Sequence, residues 1–98
     1  MDTTDIALEA AFQAAGFADY RQTTQVVKNP DLYYETNAVL GKHPSQGAVD
    51  RYFMIGAVVH FSTTLLLPEG PWRTGWQAVM LGIEVNTVAA NLRVGLRF

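Results

Sequence analysis

Cysteine is absent from all 98 residues, which excludes disulfide staples, thiolate metal sites and cysteine nucleophiles. Charge is scarce too. Asp, Glu, Lys and Arg make up 16% of the chain, against about 25% in an ordinary soluble domain. Nine acidic residues face seven basic ones, the net charge is −2, and no basic cluster stands out. A nucleic-acid surface therefore has no electrostatic support. No Gly-rich loop cradles a phosphate, because Gly41-Lys42 lacks the residues that flank a P-loop. His43 and Ser45 lie close in sequence, but no third group orients them as a catalytic pair. The reading is a non-enzymatic protein without a cofactor.

What is abundant is apolar: 49% of the residues. The four prolines, Pro30, Pro44, Pro68 and Pro71, cut the chain into three segments. Residues 5–28 form the first expected helix, with Asp2, Thr3, Thr4 and Asp5 as capping candidates and Asn29-Pro30 as its stop. A connector from Asn29 to Pro44 follows, too long for an idle loop. The second helix is expected at 45–67, capped by Ser45, and the third at 72–96 after the breaker run Pro68-Glu69-Gly70-Pro71. The fold class is an all-α, three-helix transmembrane bundle forming a single domain over 1–98, with a long ordered connector between helices 1 and 2.

The bilayer enters as the expected partner for two reasons. Seventeen residues from Tyr52 to Pro68 carry no Asp, Glu, Lys or Arg, at the lower limit of a span. With the helices running up, down and up, Arg21, Lys28, Lys42, Arg51, Arg93 and Arg97 lie toward the connector side, and only Arg73 toward the other. That is the positive-inside pattern of an inner-membrane protein with its N-terminus outside and its C-terminus in the cytoplasm. The outer side collects Asp2, Asp5, Glu9 and Glu69, with Trp72 and Trp76 as an interfacial pair. Helices 1 and 3 carry charges that cost roughly 2.5–3.5 kcal/mol each on insertion, so neither inserts well alone. A soluble helical bundle is the alternative.

Polar residues sort onto helix faces. Asp19, Gln22 and Thr23 project together on helix 1, and His60 shares a face of helix 2 with Gly56 and Thr64. Gln77, Glu84, Thr87 and Asn91 form a seam on helix 3 that belongs inside a bundle rather than in lipid. Measured from the connector side at about 1.5 Å per residue, Asp19, His60 and Glu84 sit roughly 14, 22 and 18 Å deep. They are close enough in depth to converge, with Glu35, Asn37 and His43 of the connector as a cover. Interhelical hydrogen bonding that sets bundle register is the first reading of this seam. A metal or proton site is the second, since carboxylate and imidazole suit either, and contact with a partner chain is the third. Gly56, Gly75, Ala78 and Gly82 are expected as close-approach points between helices.

The stretch Tyr34-Glu35-Thr36-Asn37-Ala38-Val39-Leu40-Gly41-Lys42-His43-Pro44-Ser45 resembles the connector of a group of small, uncharacterised multi-helix membrane proteins of bacteria and tailed phages. Their Asp-aromatic-x-Gln-Thr motif is similar to Asp19-Tyr20-Arg21-Gln22-Thr23, and further matches fall on His60, Glu84 and Asn91. Ala38 departs from the pattern, which has proline there. The resemblance covers most of residues 17–95 and implies a membrane bundle but no activity. The functional expectation is a small integral inner-membrane protein, an accessory or structural subunit packed against other membrane chains in a homo- or hetero-oligomer. The alternative is a phage or prophage membrane protein with a holin-like, pore-forming role in lysis, or a virion and genome-delivery role.

Overall fold

A computed structural model describes residues 2–29 and 43–96. Three helices account for nearly all of them: α1 over Thr3–Lys28, α2 over Gln46–Leu66 and α3 over Pro71–Arg93. The all-α, three-helix expectation holds, with shifted ends. α1 begins at Thr3 because Asp2 and Asp5 form a reciprocal capping box, with Asp5 N–H donating to Asp2 Oδ1 at 2.8 Å. Ser45 caps α2 by accepting from the Ala48 N–H at 3.1 Å. Pro71 occupies the first turn of α3, where its missing N–H costs nothing.

α3 stops earlier than expected, at Arg93, because Gly95 takes a left-handed φ of 97°. The Gly95 N–H then donates to Leu92 O at 3.1 Å and the Leu96 N–H to Asn91 O at 3.0 Å. This pair of bonds is a Schellman closure, which consumes the last carbonyls of the helix.

Cross-helix contacts fix the directions. Gln77 and Arg73 of α3 meet Asp5 of α1, and Asn91 meets Gln22, so α1 and α3 run parallel along most of their length. Thr64 of α2 meets Glu9, and Gln46 meets Tyr20, so α2 runs antiparallel to both. α2 and α3 each pack on α1 and barely touch one another.

The distribution of side chains is inverted. Among the described residues, the buried apolar set is Phe12, Val26, Val49 and Leu96, while nine polar or charged residues are buried. Fourteen large apolar side chains are exposed, Phe17, Met54, Val58, Leu66, Trp72 and Ile83 among them. Among the described residues no helix is long and apolar enough to cross a membrane. The helices therefore carry the bundle part of the expectation, and their own hydropathy does not carry the transmembrane part.

Gly56, Gly75, Ala78 and Gly82 depart from their expected role. All four are exposed, and a Cβ built on any of the three glycines meets nothing within 4 Å. Within this chain they are not points of close helix approach. The helices pack through long polar side chains instead. Of the connector, Glu35 and Asn37 lie outside the described residues, and His43 is exposed just before α2.

Candidate functional site

Three polar layers stack along the bundle axis. The first sits at the turn between α2 and α3. Arg73 is 6% exposed, and its Nη1 lies 3.1 Å from Asp5 Oδ2. Its Nε and Nη2 donate to the Leu67 carbonyl at 3.1 and 2.7 Å, and Nη2 reaches Leu65 O at 3.4 Å. One guanidinium therefore joins the start of α1 to carbonyls at the end of α2, the role its five-donor fork suits. Asp5 and Arg73 lie at the end of the bundle where the sequence placed them, buried against each other as an ion pair.

The second layer centres on Glu9, 5% exposed. Its Oε2 lies 2.9 Å from His60 Nδ1 and accepts from Gln13 Nε2 at 2.8 Å. Its Oε1 accepts from Thr64 Oγ1 at 2.9 Å and Gln77 Nε2 at 3.4 Å. All three helices thus converge on one carboxylate. The His60 ring lies between Phe12, with centroids 3.6 Å apart, and Trp76, at 5.2 Å, both stacked. Trp76 Nε1 also donates to Thr64 Oγ1 at 3.2 Å. Trp76 is therefore half-buried against the second layer, whereas Trp72 is 75% exposed.

The third layer lies nearer the connector end. Asp19 Oδ1 accepts from Thr23 Oγ1 and Asn91 Nδ2, each at 3.3 Å. Asn91 also donates to Gln22 Oε1 at 3.0 Å, and Gln22 Nε2 donates to the Val88 carbonyl at 3.2 Å. The Glu84 carboxyl adjoins that of Asp19, and its Oε1 is buried without a hydrogen-bond partner. Thr87 stands apart from the seam: its hydroxyl donates only to Ile83 O of its own helix, at 3.0 Å.

Asp19, Gln22, Thr23, Glu84 and Asn91 therefore meet as the spacing implied, but His60 does not join them. Its partner is Glu9, six residues from the same end of the bundle. Trp76 beside His60 and Glu84 beside Asp19 are eight residues apart on α3, about 12 Å of helix. Among the described residues no group of three or more His, Asp or Glu is placed to hold a metal ion. The shared Asp19, His60 and Glu84 site is thus replaced by two separate layers. Glu9 carried one usable signal: it lies as far into α1 as Gln77 lies into α3 and as His60 lies from the end of α2.

Between α2 and α3, where they diverge, a groove of about 1100 Å³ runs over α1. Phe12, Gly16 and Asp19 form its floor, Gly56 and His60 line one side, and Trp76, Met80 and Glu84 the other. Most of its lining is apolar, but two polar layers open into it. Comparison with protein-family models, curated proteins and solved structures gives no match.

Proposed function

We propose that the chain is a small integral inner-membrane protein with a non-enzymatic role, an accessory or structural subunit of a larger membrane assembly. The observation that carries this reading is the inverted side-chain distribution: ion pairs and amides inside, large apolar side chains outside. Water favours the opposite arrangement, since exposed apolar surface costs about 25 cal/mol per Å² there. Hydrocarbon favours this one, because a polar group facing lipid is left unsatisfied.

The modest hydropathy of each helix fits the same picture. Average hydropathy counts every residue around the helix, including those that only neighbours see. Glu9, Gln22, His60, Arg73 and Gln77 lower the average yet reach no lipid, because each is buried and hydrogen-bonded to another helix. Such helices insert together with their partners rather than one at a time.

Orientation follows from the cations that remain at the surface. Arg21, Lys28, Arg51 and Arg93 are exposed and lie in the connector half of their helices, whereas Arg73 at the other end is buried against Asp5. The positive-inside rule then puts the connector in the cytoplasm and the N-terminus outside. The resemblance of residues 17–95 to small multi-helix membrane proteins agrees with this placement.

The test is membrane fractionation of the tagged protein, with an alkaline carbonate wash and a native gel of the solubilised fraction. Retention in the washed membrane and migration as a large complex are expected. Release by carbonate refutes the membrane placement. A detergent-stable monomer with no co-purifying chain refutes the subunit role.

A further inference from the structure

We propose that the groove between α2 and α3 is the seat of a partner's membrane helix that carries a basic residue, Lys or Arg, facing Asp19 and Glu84. This deepens the subunit reading above and rests on it.

The packing leaves a place for a fourth helix. α2 and α3 both lie against α1 and barely meet, as two members on a diagonal of a four-helix arrangement do. The position across from α1 is the groove itself. Gly16 lies on its floor with open space above it, which lets a helix backbone approach closely.

Charge chooses the occupant. Asp19 and Glu84 place two carboxyls side by side at the groove. Among the described residues, neither has a Lys or Arg within ion-pair reach. The other two buried acids are each matched, Asp5 by Arg73 and Glu9 by His60. Two carboxyls side by side repel when both are ionised, which a shared proton or a cation from outside relieves. Glu84 Oε1 is buried and has no partner, so an acceptor is left unused beside the groove.

An independent observation falls on a residue that lines the same groove. His60 is 2% exposed, yet its Nε2 has no hydrogen-bond partner. It lies about two helical turns from the acidic pair. A helix laid in the groove would meet both points with residues seven or eight apart, the basic one at Asp19 and Glu84 and a polar one at His60. A second copy of this chain, whose exposed Arg21 lies near this depth, is the competing occupant that the Gly16→Leu variant separates from a partner's helix.

The experiment uses the full chain in phospholipid vesicles, with one fluorophore on an introduced Thr3→Cys, since no other cysteine competes. The probes are labelled synthetic Leu/Ala helices of about twenty residues with Lys, Leu or Glu at the centre. Energy transfer is expected to show the Lys helix binding about tenfold more tightly than the other two. That preference should vanish in the D19N/E84Q variant at unchanged helicity. Equal binding of the three helices to the parent chain overturns the proposal, whatever the variant does. Self-association that Gly16→Leu abolishes overturns it too, by putting a second copy in the groove. A chain that does not float with the vesicles fails the membrane reading, and this inference with it. A chain that floats but shows no Lys preference fails here alone.

Discussion

Replacing Arg73 with methionine tests whether buried polar pairs hold this bundle together. Methionine keeps much of the apolar stem, so the change isolates the guanidinium rather than the packing. Three losses follow. The Asp5 carboxylate, 2% exposed, loses its cation and keeps only its capping-box contact with the Asp2 N–H at 3.4 Å. The carbonyls of Leu65 and Leu67 lose their Arg73 donors at the end of α2. The contact to Glu69 at 3.4 Å also goes, but that side chain is 58% exposed and contributes little. Removing one partner of a buried pair costs about 3–5 kcal/mol, because the survivor stays buried and charged. Asp5→Asn removes the charge but leaves an acceptor and the same volume, at a cost of about 1.5–3 kcal/mol, the worth of one charged hydrogen bond. The double variant D5N/R73M should then fall short of the summed costs by at least about 1 kcal/mol, since it leaves no orphaned charge. Arg73→Lys should restore part of the loss, because it supplies the charge but not the fork. Reversible unfolding in mixed micelles, followed by circular dichroism and tryptophan fluorescence, measures all four. An R73M chain within about 1 kcal/mol of the parent, below the smallest cost argued here, would refute the reasoning. So would a double variant additive to about 0.5 kcal/mol.

Glu9→Ala should cost about 3–5 kcal/mol in the same assay, since it strips the partner from His60 and an acceptor from Thr64, Gln13 and Gln77. Glu9→Gln, which keeps one carbonyl acceptor, should be clearly milder; equal losses would show that a neutral acceptor does not serve and that His60 needs the charge. Ser45→Ala should destabilise the chain by about 1 kcal/mol through the lost cap on the Ala48 N–H, read as a shift of the unfolding midpoint at unchanged slope. Gly75→Ala and Gly82→Ala should each stabilise the isolated chain by about 0.5–1 kcal/mol, because both sit inside α3 and a Cβ there meets nothing. Destabilisation of the isolated chain by either would mean that the open space at these positions is not real.

The breaks between helices were legible because their chemistry is local. Pro30, Pro44, Pro68 and Pro71 each restrict their own neighbourhood, and the structure places a helix end or start within a few residues of each. The seam of Asp19, Gln22, Glu84 and Asn91 was legible for a related reason, since helical spacing alone puts each set on one face. The pairing of Asp5, Glu9 and Arg73 was not legible, because a charge near the end of a helix does not name its partner. Their partners are 51 to 68 residues away, beyond any local pattern. One count would have recovered them. From the turn between α2 and α3, Glu9, His60 and Gln77 are each six residues in, and Asp5 and Arg73 each two. His60 lies fourteen residues into α2, close to the depth of roughly 22 Å expected, whereas Glu84 lies nine residues from Arg93, about 14 Å, so it was the later expected end of helix 3 that drew Glu84 toward His60. The same count places Asp19 and Glu84 each nine residues from the connector ends of α1 and α3, with no Lys or Arg within ion-pair reach of either among the described residues.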